Sequence, residues 1–218
     1  RRLDPPARCW LCGSTGAAPH LPSGSWNYVR CPECALVFLF PRPTASELAE
    51  LYEKSYMDEF KGDGGVDFAR IANARVAANG ERVAFLNGLR APGRLLEVGC
   101  AAGFFLEAAR RQGWDGTGIE TSESAARFAR EKYGLTVKTG PIEDAGLKEG
   151  AFDVVALLHA LEHLPDPART LREIRRVLEP GGTLVLSTPF LHRVDAPDDY
   201  WRFTEPALRR LLDESGFD

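Results

Sequence analysis

Residues Arg94–Leu106, RLLEVGCAAGFFL, read as an apolar strand, a turn of small residues and the start of a helix, and an acid, Glu120, follows seventeen residues after Gly103. Small residues let backbone amides approach a ligand closely. A helix start adds unpaired N–H groups and positive partial charge, and a carboxylate closing the next strand can accept both hydroxyls of a ribose. Together these features predict a nucleotide-type pocket. A dinucleotide fold would need three glycines, G-x-G-x-x-G, over a pyrophosphate, whereas this loop has Gly99 and Gly103 with Ala101 between them.

The same strand and helix units then repeat. The pattern predicts a helix over about 103–112, a strand over 114–120, a helix over 122–133 and further strands over 135–139 and 152–159. Asp166 as N-cap and Pro167 at the first helical position open another helix, with Leu171, Ile174, Val177 and Leu178 at helical spacing. It stops at Glu179-Pro180-Gly181-Gly182, and a fifth strand is expected over 183–189. Upstream, a single long helix is expected over about 67–89, with Phe68, Ile71, Val76, Val83 and Phe85 docking on the sheet. Alternating strands and helices imply an α/β fold with a parallel sheet covered on both faces.

Glu97-Val98-Gly99-Cys100-Ala101-Ala102-Gly103 resembles the first motif of class I S-adenosylmethionine (SAM) methyltransferases, E/D-x-G-x-G-x-G, with Ala101 at the central glycine. One methyl group there is tolerable if the φ of Ala101 is negative. The later strings, F-D-V-V from Phe152, E-H-L-P-D-P from Glu162 and L-E-P-G-G-T-L-V-L-S-T-P from Leu178, are similar element by element to the core of small-molecule and polysaccharide-pathway members. The resemblance covers about residues 92–217 and implies a Rossmann-like methyltransferase sheet with SAM as cofactor. It assigns Gly99, Cys100, Ala101 and Gly103 to the amino-acid portion of SAM, Glu120 to the ribose hydroxyls and Thr121 to a place beside the adenine, with Glu97 and Leu158 completing the cofactor set. Where the family often has G-D after its third strand this chain has Gly140-Pro141, so the Ile142 backbone or Glu143 must meet the adenine. Cys100 is expected to be a small packing residue rather than a nucleophile. The sequence stops at Ser215-Gly216-Phe217-Asp218, where the family starts its sixth strand, so the C-terminal strands of the sheet are expected to be missing and strand five to lie at an edge.

His159, Glu162 and His163 stand at i, i+3 and i+4 and share a face if that segment is helical. In the quinone O-methyltransferases that this region resembles, an E-x-x-E-H signature supports catalysis and metal binding. Here the first acid is replaced by His159. The three are the catalytic candidates, with His163 as the base; the alternative is that His163 packs the turn closed by Pro165. A base is needed only if the acceptor is a poor nucleophile. H-x-x-E-H also imitates a zinc-protease motif, but Pro165 and Pro167 break the long helix such a site requires. The stretch 190–204 would lie at the carboxyl edge of the sheet, where open α/β folds bind ligands. It is expected to recognise the acceptor through His192, Tyr200, Trp201 and Arg202, and Arg193 and Arg202 suit a phosphate or carboxylate. The alternative is a surface loop that Thr204 caps into a helix over 205–215.

Near the start, Cys9-Trp10-Leu11-Cys12 and Cys31-Pro32-Glu33-Cys34 are separated by eighteen residues, the spacing of a zinc ribbon. Cys9, Cys12, Cys31 and Cys34 would close a tetrahedral, structural zinc site with no open position. Disulfides or redox pairs are the alternative. So short a lobe has little apolar content, and the metal would supply its folding free energy. Beyond it, Thr44-Ala45-Ser46-Glu47 is a capping box. By resemblance, the segment from Tyr52 to Phe60 would fold over SAM as a lid, and an ordinary amphipathic stripe explains its spacing equally well.

The 218-residue chain is 44% hydrophobic and 27% charged, with a net charge of −4 and no apolar run approaching eighteen residues. It lacks the apolar segment of a signal peptide, and it is expected to be cytoplasmic with no membrane partner. Residues 1–43 carry five Arg against Asp4 and Glu33, or +3, which leaves −7 for the remainder. That balance disfavours a nucleic-acid partner without excluding one. Three segments are expected: 1–43 as a zinc-ribbon-like module, 44–91 as helical linker and lid, and 92–218 as the SAM-binding domain. The leading functional expectation is methyl transfer to the O, C or N of a small-molecule or carbohydrate-linked biosynthetic intermediate. The alternatives are an rRNA or tRNA methyltransferase that grips RNA with its zinc ribbon, and a silent binding module or nicotinamide oxidoreductase.

Overall fold

The computed structural model describes residues 8–23, 26–41, 68–189 and 201–217. In chain order the strands are β1 (Ala18–Ser23), β2 (Trp26–Arg30), β3 (Val37–Phe40), β4 (Arg94–Val98), β5 (Asp115–Glu120), β6 (Thr136–Thr139), β7 (Phe152–Leu158), β8 (Leu178–Ser187) and β9 (Trp201–Arg202). The helices are α1 (Phe68–Ala78), α2 (Gly80–Leu89), α3 (Phe104–Arg110), α4 (Glu123–Tyr133), α5 (Pro167–Val177) and α6 (Glu205–Glu214). The described residues divide into two compact units, one of 8–23, 26–41, 159–175, 187–189 and 201–217, the other of 68–158 and 176–186.

The larger unit carries a five-stranded sheet in the order β6-β5-β4-β7-β8. β4 pairs in parallel with both β5 and β7, and β5 with β6, so the first strand lies at the centre and strand order reverses beside it. Open α/β sheets bind ligands at such a switch point. Leu95, Val154 and Ala156 on the strands pack against Val83, Leu86, Leu106, Ala109, Ala126 and Ala129 from the helices. Small alanines on α3 and α4 let those helices approach the sheet closely. Local signals set the ends: the Ser122 hydroxyl accepts from the Ala125 amide to start α4, and Gly134 ends it in the left-handed conformation. In the smaller unit, Asp166 likewise accepts from the Arg169 amide at the start of α5. Opposite the switch point, Arg94 is clamped by Asp153 at 2.5 Å and Glu179 at 3.0 Å, and Arg90 pairs with Glu179.

Three expectations for this unit are corrected. The helix over 67–89 is broken at Asn79, whose amide bonds to the Val76 carbonyl three residues back and whose side-chain amide donates to Arg75 O. Phe85 does not dock. It is 61% exposed, because it lies two residues, about 200° of helical rotation, from the buried Val83. The fifth strand also begins earlier than expected, at Leu178 directly after α5. β8 is an edge of the sheet among the described residues.

The smaller unit is built on an antiparallel sheet in the order β1-β2-β3-β9. Its last strand comes from the far end of the sequence: Val37 faces Arg202 and Phe38 faces Trp201. Trp201 is fully buried, its ring 5.1 Å from that of Trp10 and 6.2 Å from that of Phe38, with the indole N–H donating to Leu164 O. Thr204 caps α6 and its hydroxyl also donates to Ala35 O, tying that helix to the second cysteine turn. The predicted lid over 52–60 lies outside the described residues, as do His192, Arg193 and Tyr200.

Candidate functional site

The loop between β4 and α3 is held by hydrogen bonds that its small residues permit. Gly99 and Cys100 both donate to Ile119 O, at 2.8 and 3.1 Å, and Gly103 donates back to Cys100 O at 2.8 Å. The Glu120 carboxylate then locks the loop from β5. One oxygen accepts from the Ala101 amide and the other from the Ser122 amide, each at 2.8 Å. Glu120 is buried, so these charge-assisted bonds are worth more than exposed ones. Oε1 also accepts from the Thr121 hydroxyl at 3.4 Å, whereas Oε2 retains a further lone pair that a ribose hydroxyl can fill. Gly140 donates to the Glu120 carbonyl at 2.9 Å and brings the segment after β6 alongside. There Ile142 is buried at the head of a single 3₁₀ turn, Glu143 is half-buried beside it, Thr121 is exposed, and Leu158 at the end of β7 is half-buried.

Ala101 departs from expectation, with φ of +46°, inside the left-handed region. An L side chain pays about 1 kcal/mol or more there, and the Ala101 N–H bond to Glu120 is what that conformation secures. Ala101→Gly is therefore expected to raise stability by about 1 kcal/mol, measured as a shift in the urea midpoint with unchanged slope. A loss of stability would show that the methyl group is packed rather than strained.

Glu97, the acid of the motif, is buried at the end of β4, and its Oε2 has no partner among the described residues. Burial pushes its carboxyl well above the usual carboxylate range, and the neighbouring Glu120 charge adds to that. Cys100 is also buried, and its thiol is pushed up, first by burial and then by Glu97 and Glu120, so it is a neutral packing group.

Two residues that close this site were not foreseen. Ser122 supplies the second amide on Glu120, and an acid followed two residues later by an N-cap serine was the available signal. Gly118 leaves the space that the Cys100 sulfur fills, since a Cβ there would stand 2.5 Å from it. Only the alternation of side chains along β5 hints at that.

In the smaller unit, the turn after β7 carries His159, Glu162 and His163. Leu161–His163 is one 3₁₀ turn rather than an α-helix, and His159 precedes it at φ of +51°. The buried Glu162 carboxylate nevertheless lies between the two rings, with Oε1 3.8 Å from His159 Nδ1 and 3.9 Å from His163 Nε2. Those separations suit ion pairing with a protonated imidazole. Among the described residues, the group of ligating side chains close enough to share an ion is formed by cysteines and not by this trio. Of the acceptor candidates, Trp201 and Arg202 are both buried in β9. The structure gives Trp201 a core position.

The four cysteine sulfurs, Cys9, Cys12, Cys31 and Cys34, lie within 4.8 Å of one another and are not disulfide-bonded. Cys9 and Cys34 are 3.6 Å apart, and Cys12 and Cys31 3.4 Å. A tetrahedron with 2.3 Å metal–sulfur bonds has edges of about 3.8 Å, so the cluster fits such an ion. Each turn is closed by an amide bond to the first cysteine carbonyl, from Gly13 and from Ala35, both at positive φ. Burial pushes the Cys9 thiol up to about 11 and Cys34 higher still, while at Cys31 burial is opposed by the Cys34 and Glu33 amides together with the Cys12 and Cys9 thiols, which bring it to about 7. A cation in the centre would offset the cost of burying these thiolates.

Comparison with known proteins agrees with this geometry. Residues 68–218 match the family model described as a methyltransferase domain. A ubiquinone biosynthesis O-methyltransferase of Pseudomonas aeruginosa (strain UCBPP-PA14) is 38% identical over 101 residues, 44% of this chain and 44% of that protein. The match therefore spans less than half the length of that relative. A SAM-dependent methyltransferase from Archaeoglobus fulgidus superposes with a TM-score of 0.59 at 21% identity, covering 75% of this chain and 74% of that one. Another, from Mesorhizobium loti, gives 0.55 at 22% identity over 66% and 83%. With a central strand leading into a glycine-bordered bend, an acid clamping that bend from the neighbouring strand, and a family model matched over most of its length, the chain belongs to the class I SAM-dependent methyltransferases.

Proposed function

We propose that this chain transfers the methyl group of SAM to a hydroxyl of a small-molecule biosynthetic intermediate, in the manner named for its O-methyltransferase relatives. The observation that carries the reading is the Glu120 clamp, which fixes the Gly99–Gly103 bend by one oxygen and the start of α4 by the other. SAM supplies an already activated methyl on a sulfonium. The protein then has to bind it, aim it and exclude water. Glu120 accepts the ribose hydroxyls, the bend from Gly99 to Gly103 approaches the amino-acid portion, and Ile142 with Glu143 and Thr121 borders the adenine. Leu158 supplies an apolar wall.

A hydroxyl acceptor needs its proton removed as the methyl arrives, and His163 takes it. Glu162, buried between the two imidazoles, orients them and stabilises His163 once it is charged. Arg202 remains the basic candidate for acceptor recognition. The cysteine cluster holds a structural zinc ion. The partner is a small molecule, because the excess of basic residues is confined to the N-terminal segment.

Calorimetry with SAM and a methyl-transfer screen against hydroxylated quinone precursors, sugar nucleotides and RNA test this reading. His163→Ala is expected to lower kcat about 100-fold or more while leaving the SAM dissociation constant unchanged. Glu120→Gln is expected to weaken SAM about tenfold to a hundredfold through lost charge-assisted bonds. Full activity in His163→Ala would remove the base, and methylation of RNA alone would overturn the acceptor class.

A further inference from the structure

The Glu97 carboxyl occupies an unusual position for an acid. It is 5% exposed, its Oε2 lacks a partner among the described residues, and it stands beside a second buried carboxylate. Glu120 accepts from an amide on each oxygen, whereas Glu97 Oε2 has no partner among the described residues, so the pair is asymmetric. Two neighbouring carboxylates out of water do not both ionise readily, and the one left with an unpartnered buried oxygen keeps its proton. β5 presents Glu120, which opposes its charge; α2 presents Arg82 and α3 the Leu106 amide, which favour it. The bend contributes the Cys100 thiol, itself neutral.

We infer that Glu97 carries a proton in the ligand-free protein and surrenders it when the α-ammonium of SAM enters, so that cofactor binding releases one proton. The inference rests on the SAM reading above. The O–H bond at Glu97 breaks, its electron pair stays on the carboxylate, and the proton passes to the buffer. The oxygen so freed accepts from the ammonium, which replaces the missing partner and supplies the opposite charge that burial demands. The sign follows from linkage: a ligand that binds the deprotonated form binds more tightly as pH rises. Between the Glu97 pKa of the complex and that of the free protein, SAM affinity rises about tenfold per pH unit.

Titration calorimetry at neutral pH, in buffers of differing ionisation enthalpy, counts the proton. One proton released by SAM, one by S-adenosylhomocysteine, which keeps the ammonium, and none by 5′-methylthioadenosine, which lacks it, is the expected result. Glu97→Gln, isosteric with the protonated acid, is expected to bind SAM without proton release and with a flat pH profile. Should that variant fail to fold, the contrast between SAM and 5′-methylthioadenosine in the unaltered protein carries the test. Loss of a protonated-carboxyl band in the infrared difference spectrum on adding SAM would support it independently. SAM binding with no proton change, or with uptake, overturns the inference and leaves the cofactor reading standing. Absence of SAM binding overturns both.

Discussion

Gly103→Ala is expected to destabilise the larger unit by about 2–5 kcal/mol and to abolish measurable SAM binding, the sum of a left-handed backbone cost and overpacking. The residue has φ of +77°, and an added Cβ would stand 2.7 Å from Leu135 Cδ1 and 2.9 Å from Ala129 Cβ. Neither neighbour can yield cheaply. Leu135 and Ala129 are buried in the core cluster, and a shift of Ala129 displaces α4 with it. Because Gly103 also donates to Cys100 O, any rearrangement moves the bend that Glu120 holds. A drop of that size removes a large part of the roughly 5–15 kcal/mol that stabilises a typical domain. Urea unfolding, with SAM calorimetry on the folded fraction, checks it. A variant of unchanged midpoint would mean that the bend is laxer than its contacts imply.

Chelating the zinc proposed for the cysteine cluster, or replacing Cys34 by serine, is expected to unfold the antiparallel sheet of the smaller unit while leaving the larger sheet intact. The helical part of that unit buries Leu161, Leu171, Ile174, Ala207 and Leu211, whereas the cysteine turns rest on β1–β3, β9 and the contacts around Trp201. Structural zinc supplies roughly 10–16 kcal/mol in comparably small modules. The tryptophans make the two units separable by spectroscopy. Trp10 and Trp201 are 5.1 Å apart in the smaller one, whereas Trp114 is buried in the larger and donates to Asn87. Chelation should therefore remove the near-ultraviolet dichroism of the first pair and preserve protected Trp114 emission. Elemental analysis should give one zinc per chain. Protein free of metal whose Trp10–Trp201 signal survives would contradict the structural role.

The sheet and the cofactor bend were largely legible because their signals are local. Strands such as Phe152–Leu158 are short apolar runs between turn residues, and α4 is framed by Ser122 and Gly134. What escaped was set elsewhere in the chain. The handedness of Ala101 depends on where Glu120 offers its carboxylate, and no alanine advertises its φ. Trp201 and Arg202 read as loop residues because a two-residue strand has no periodicity, and its partner β3 lies more than 160 positions earlier. Phe85 was misplaced by counting apolar residues instead of angles. The turn from His159 to His163 shows a third case: the spacing correctly drew both rings to Glu162, although the backbone is not α-helical.

The pairing of β3 with β9 has a consequence for synthesis on the ribosome. Val37 and Phe38 emerge long before Trp201 and Arg202 are made. At about 5–20 residues per second the delay is on the order of 10–30 s. Through that interval the nascent sheet presents an unzipped apolar border, a place where another strand could add. Whatever shields that border while translation proceeds governs how much of the product reaches its finished form.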